Sequence, residues 1–266
     1  MGAVLRVSPP VSFGSRRSLR IVERNFIIYR RQWLIFVSGF FEPLFYLLSI
    51  GLGLNHLIGT IEVAGHQVSY AAFVAPGMLA TSAMNGAVID ALYNTFWKLK
   101  VSHIYEPVLA TPLDVTDVAI GEAGWSLARG SVYAFSFIAC MVVLGDTKSI
   151  WVLACLPAAV LTSFAFAGVG LAGCTWLKSW QDFDMVALIQ MPIFLFSGTF
   201  FPITLYPHWL TVIVWFSPLY QATALIRGLS LGVLSWTMLI NVAYLVVMGV
   251  IGIAIAARRF AEILVP

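Results

Sequence analysis

Charge is what this sequence has least of. Only 10% of its 266 residues are Asp, Glu, Lys or Arg, where an ordinary soluble domain carries about a quarter. A surface that poor in ionisable groups cannot be solvated all round, which excludes a water-soluble globule. Cysteine is scarce as well: Cys140, Cys155 and Cys174 are the whole set, and none forms a CxxC. All three fall in apolar runs and read as small core residues rather than a disulfide or metal framework. There is no Asn-x-Ser/Thr sequon. There is no GxxxxGK[ST], hence no phosphate-cradling loop of this chain's own. The four histidines, His56, His66, His103 and His208, are scattered without metal-ligand spacing, and no Cys/His pairing suggests a nucleophile. These absences argue against an autonomous ATPase, give no support to an enzyme, and leave the chain without a cofactor of its own.

What is present is apolar. Hydrophobic residues make up 60% of the chain and the mean hydropathy is +0.92. Several runs reach the roughly 20 apolar residues a helix needs to cross a bilayer. They are continuous, unlike the alternating segments of about 10 residues in a membrane β-barrel. The fold class is therefore an all-α polytopic membrane protein. Six spans are expected at about 33–54, 70–92, 115–144, 150–177, 183–200 and 235–257, forming one transmembrane domain over 33–257. A cytosolic N-terminal segment, 1–32, and a cytosolic tail, 258–266, flank it. The twin arginines of SRRSLRIV hint at an export signal, but Glu23, Arg24, Asn25, Arg30 and Arg31 break any apolar h-region.

The run 208–226 is a doubtful seventh crossing, and the basic residues arbitrate. Lys and Arg collect in cytoplasmic loops near span ends. With six spans and the N-terminus inside, the cytosolic side holds Arg6, Arg16, Arg17, Arg20, Arg24, Arg30, Arg31, Lys98, Lys100, Lys178, Arg258 and Arg259, twelve of fifteen. Only Lys148 and Arg227 fall outside, and Arg129 lies within the third span. A seventh crossing would send Arg258 and Arg259 outward. The segment 201–230 is thus expected as an extracytoplasmic re-entrant hairpin, broken by Pro202, Pro207 and Pro218. The N-terminal segment is not a span either. Leu19, Val22, Phe26, Tyr29 and Trp33 share one helical stripe with Arg17, Arg20, Arg24 and Arg31 opposite, the pattern of an interfacial amphipathic helix. A solvated basic leader is the other reading.

The stretches FVAPGMLATSAMNGA (73–87), YEPVLATPLDVTDVAIGE (105–122), FLFSGTFFP (194–202) and SPLYQATALIRG (217–228) together carry a resemblance. The chain resembles the membrane permease subunits of ABC exporters of the type-2 class over roughly residues 15–260. Glu106, Pro112, Gly121 and Glu122 match the family's cytosolic loop. Ser197, Gly198, Phe201, Pro202, Pro218 and Arg227 match its C-terminal signature. Gln221 departs from the residues common in relatives. The resemblance implies a half-transporter in which two permeases, identical or different, pair around a pathway. Two copies of a separate nucleotide-binding ATPase subunit, carrying the ATP and magnesium, would drive them from the cytosol. Membrane lipid is the other partner; no nucleic acid is implied. The implied substrates are amphiphiles: glycolipids, lipid-linked oligosaccharides or drugs.

Three groups of residues become candidates in that light. The loop 95–114 is the implied ATPase-coupling segment, with a short helical run ending before Pro107. Phe96, Trp97, Ile104 and Tyr105 are large enough to anchor in a partner's groove, with Lys98, Lys100 and Glu106 setting register; an ordinary surface connector is the alternative. The intramembrane charges Glu42, Asp90, Glu122 and Arg129 are costly to insert and so are functional candidates. Arg129 either satisfies Glu122 or Glu42 structurally, or takes part in proton coupling, as an ion-coupled secondary transporter without an ATPase would require. Since spans two and five line the pathway in the family, Met78, Asn85, Met191 and Phe194 are pathway candidates. Phe200, Phe201 and Trp209 would form an apolar lid over its exit. AFAGVGLAG (165–173) permits close helix approach, either within the chain or at a dimer seam.

Overall fold

A computed structural model of the chain describes residues 17–32, 41, 45–49, 53–54, 58–63, 66–144 and 151–264. Most of the expected first span, Glu42 included, lies outside them, as do His56, Lys148 and the last two residues of the tail. The first described element is α1 (Ser18–Tyr29), as the amphipathic pattern predicted. Its inward face is not the apolar stripe, however. Ser18, Ile21 and Asn25 are buried against the protein, while Leu19, Phe26, Ile27 and Ile28 are exposed.

One small element escaped an all-α expectation. β1 (Thr60–Val63) and β2 (His66–Ser69) pair antiparallel, with Thr60 opposite Ser69 and Val63 opposite His66. Ser69 ends the second strand and starts the next helix, its hydroxyl accepting from the Ala72 amide at 3.3 Å, the role of an N-cap. That helix, α2 (Tyr70–Ile89), continues through two π-helical turns, Asp90–Asn94 and Trp97–Val101. The first seven residues of the expected coupling loop are therefore helix. Tyr105–Leu109 forms a separate turn, α3, which takes Pro107 into its first turn instead of ending before it. A proline is tolerated there because that position's amide has no helical acceptor.

α4 (Val115–Leu144) occupies the range read from hydropathy, and α5 (Val152–Cys174) lies within its expected run. α6 (Asp182–Leu195) is shorter than expected. The chain leaves the helix at Phe196, and Gly198 adopts φ +69°. Fourteen residues rise about 21 Å, against a hydrocarbon core of about 30 Å. Beyond a tight segment come α7 (His208–Trp215) and α8 (Pro218–Leu231), bent by 85° to each other. Pro218 opens α8 and Gly232, at φ +74°, closes it. The last helix, α9 (Thr237–Leu264), runs through Arg258 and Arg259 into the expected tail.

Among the described residues four helices are long and apolar enough to cross a membrane: 70–101, α4, α5 and α9. Taken as one bent span, α7 and α8 would make a fifth. α2 is the central helix, with 78% of its most apolar window buried, against 22% for α9. Small residues make this packing possible. A side chain at Gly168 or Gly252 would strike the backbone of the facing helix, so α5 and α9 cross in glycine-to-backbone contact. Gly170 faces Ala91, in the first π-helical turn beyond α2. The AFAGVGLAG stripe is thus used within the chain. α1 docks the same way, with Ile21 and the Ser18 carbonyl seated on Gly121 of α4.

Candidate functional site

Midway along α2 the helix thins to Gly77, Thr81, Ser82 and Asn85. A cavity of about 250 Å³ opens between it and α6. Met78, Met84, Asn85 and Phe137 line one side, and Ala187, Gln190, Met191 and Phe194 the other. All four pathway candidates meet here. Two of the polar groups join across it: the Gln190 amide donates to Asn85 Oδ1 at 2.8 Å. The remainder of the wall is thioether, aromatic and small side chains, a soft apolar surface with one amide pair set in it. Met191 is 62% exposed, so the cavity is open at its side. α6 as a whole is poorly covered: Phe183 is its one buried residue, while Met185, Leu188, Ile189 and Leu195 are exposed.

The candidate charges lie closer to the α1 side of the bundle. Glu122 is fully buried and accepts from Lys98 Nζ at 2.7 Å, Asn25 Nδ2 at 2.9 Å and Arg24 Nη2 at 3.2 Å. Asn25 Oδ1 in turn accepts from Lys98 at 3.1 Å and Arg24 at 3.3 Å. One turn along α4, Ser126 Oγ and Arg129 Nη1 donate to the buried Asp90 carboxylate at 2.7 and 3.3 Å, and Asn94 adds a third bond at 3.0 Å. Arg129 therefore pairs with Asp90, and Glu122 takes Lys98 and Arg24. The expected Arg129–Glu122 pair does not form: about two helical turns of α4 separate the two residues, and each meets a different partner on the π-helical extension of α2. Arg24, expected on the headgroup face of α1, turns into the protein instead. The two clusters lock α1, the π-helical end of α2 and the start of α4 together.

The connector residues divide. Phe96 and Tyr105 are buried. Phe96 meets Trp180 and Phe183 edge-on at 5.1 and 5.2 Å, and Tyr105 faces Phe260 at 6.0 Å. They anchor the connector to its own chain and are not free for a partner's groove. Burial, then the nearby Glu122 charge, raises the Tyr105 phenol well above its ordinary pKa, so it stays neutral. Trp97 and Glu106 are exposed and Ile104 is half-buried. His103 holds a left-handed φ of +48° and sets its Nδ1 3.0 Å from Glu106. Arg17 reaches across from α1 to the Pro112 carbonyl at 3.1 Å.

Of the lid candidates, Phe200 is half-buried, edge-on to Phe194 at 5.3 Å, while Phe201 and Trp209 are exposed. Arg227 is the residue to which sequence reasoning gave no role beyond a motif match. It is buried in α8, and its guanidinium donates to the carbonyls of Phe73 (3.1 Å), Gly198 (2.8 Å) and Thr199 (3.3 Å). The same group lies 3.9 Å from the Phe73 ring centre. Gln221 donates to the Trp215 carbonyl across the α7–α8 bend, so the departure from the family pattern still ties the two helices. The string GLSLG at 228–232 fits a nucleophile-elbow spacing that the sequence reading passed over. It ends a helix, follows no strand, and buries Ser230 with its hydroxyl unbonded, which is not the strand-to-helix turn such a serine needs.

Residues 18–231, from the first residue of α1 to the last of α8, match the family model described as ABC-2 type transporter. The chain is 33% identical to nodulation protein J of Rhizobium leguminosarum bv. trifolii over 221 residues, 82% of this chain and 83% of that protein. Against nodulation protein J of Rhizobium meliloti the identity is 28% over 216 residues, 80% and 81% of the two chains. The inner membrane transport permease YadH of Escherichia coli is 27% identical over 156 residues, 58% of this chain and 60% of that one.

Proposed function

The chain belongs to the ABC-2 type transporter family, and from that membership we propose that it is the permease subunit of an ATP-driven exporter. It is a transport component of the membrane and not an enzyme. In our reading it moves an amphiphile outward across the cytoplasmic membrane, and the cargo is a glycolipid, a lipid-linked oligosaccharide or a drug. The observation that carries this is the α2–α6 cavity, where Met78, Met84, Met191 and Phe194 offer apolar contact around the Asn85–Gln190 amide pair. A soft wall with a few directional polar groups suits a molecule with an acyl or aromatic part and a hydroxylated part.

The open side of that cavity and the uncovered face of α6 support pairing with a second permease, which would complete the pathway. Trp97, His103, Glu106 and Pro107 supply an exposed patch for the ATPase. The buried Glu122 and Asp90 clusters give it a stiff backing, so force on α3 would reach α1, α2 and α4 together. Six crossings with both termini cytosolic, and α7–α8 as a re-entrant hairpin on the outer face, fit the distribution of Lys and Arg. An ion-coupled carrier is less well supported, because Glu122, Asp90 and Arg129 are each held in ion pairs. The direct test is purification of the tagged chain from cells that also express a candidate ATPase subunit. Recovery of that ATPase in stoichiometric amount supports the reading, and a chain that transports amphiphile without it would refute the reading.

A further inference from the structure

A second cavity, about 340 Å³, lies on the other side of Arg227, between the β-hairpin, the segment after α6, α8 and the start of α9. Its wall carries Tyr220, Arg227 and Asn241, with Glu62 on the β1 side. Asn241 lines the cavity and is 7% exposed as a residue, and no hydrogen bond engages its amide among the described residues. The Tyr220 hydroxyl and Arg227 Nη1 have none either, since the three carbonyl bonds of Arg227 use Nε and Nη2. Among the described residues no carboxylate comes within ion-pairing distance of Arg227. Among the described residues its direct contacts are three backbone carbonyls and the Phe73 ring. A buried guanidinium without a counter-charge costs several kcal/mol unless a ligand supplies one.

We propose that this cavity is a binding site for a phosphate group, held by Arg227 Nη1, the Asn241 amide and the Tyr220 hydroxyl. A guanidinium edge with two neutral donors suits a tetrahedral oxyanion, and charge-assisted bonds of this kind are the strong ones. The cavity adjoins the proposed hairpin, so the phosphate comes from a lipid headgroup in the outer leaflet or from a free phosphate in the medium. Its outward position rests on the topology proposed above; the binding itself does not.

The test is native mass spectrometry of the purified full-length chain, delipidated and offered phosphatidylglycerol or a phosphate-free glucosyl diacylglycerol. The site predicts that phosphatidylglycerol is retained roughly tenfold better, on the scale of one charge-assisted hydrogen bond. Asn241→Leu and Tyr220→Phe should each cut the preference several-fold while the melting temperature holds, and Glu62→Gln should strengthen retention by removing a repelling carboxylate. Competition by millimolar inorganic phosphate assigns the site to the free anion; retention unmoved by it assigns the site to the headgroup. Equal retention of both lipids with no competition overturns the proposal, as does a preference that Asn241→Leu and Tyr220→Phe leave intact. Arg227→Lys is informative only beside those two, because Arg227 also braces Phe73, Gly198 and Thr199.

Discussion

Glu122 is fully buried and enclosed by three donors. Lys98→Met would leave its carboxylate facing Arg24 and Asn25 alone. Breaking a buried pair in this way costs about 3–5 kcal/mol, so the variant should melt well below the native chain in detergent, followed by tryptophan fluorescence. Removing both charges together, as Lys98→Met with Glu122→Leu, should recover much of the loss. A single variant as stable as wild type would mean that the cluster is solvated. Asp90 and Arg129 make a separate unit, so exchanging the two should be better tolerated than either change alone. None of these partnerships was legible in the sequence. Hydropathy marks a charge as buried but does not say what it meets, and residues 24, 25, 98 and 122 come from three elements.

At the scale of elements, length and apolarity decided what could be read in advance. The ranges of α4 and α5 and the start of α2 follow from continuous apolar runs, which a helix must bury or give to lipid. The β-hairpin did not announce itself, because four-residue strands with polar members carry no such signal. The end of α6 was overestimated because Phe196, Phe200 and Phe201 extend the hydropathy past the point where Gly198 turns the backbone. The crossing of α5 and α9 rests on glycine, and its prediction is specific: Gly168→Val meets backbone, which cannot move aside as a side chain would. Overpacking of that kind costs about 1–3 kcal/mol or more, visible as a lower melting temperature and a smaller monodisperse fraction on size exclusion. Gly170→Ala, against the Ala91 methyl, should cost less. For the connector, Glu106→Ala should weaken capture of the ATPase about tenfold, the scale of one anchoring contact, with membrane insertion unchanged. The inward packing of Phe96 and Tyr105 moves that prediction away from them: their truncation should lower stability first.

For the whole molecule, the number of crossings turns on whether α7 and α8 fold back or span. The three cysteines are all buried, so the native protein gives a low background to a membrane-impermeant maleimide. Leu205 and Trp236, 69% and 86% exposed, bracket α7 and α8. Leu205→Cys and Trp236→Cys should both be labelled from outside if the bent pair is re-entrant; labelling from opposite sides would make it a full span. The net charge of +3 matters here only through its placement, which favours the first outcome. The energy source is the deeper question. The chain with its ATPase partner is reconstituted in sealed vesicles, and movement of a fluorescent glycolipid is followed with ATP, with a non-hydrolysable ATP analogue, and with an imposed proton gradient alone. Movement is expected with ATP only. Movement driven by the gradient, in vesicles holding this chain and no ATPase, would contradict that expectation.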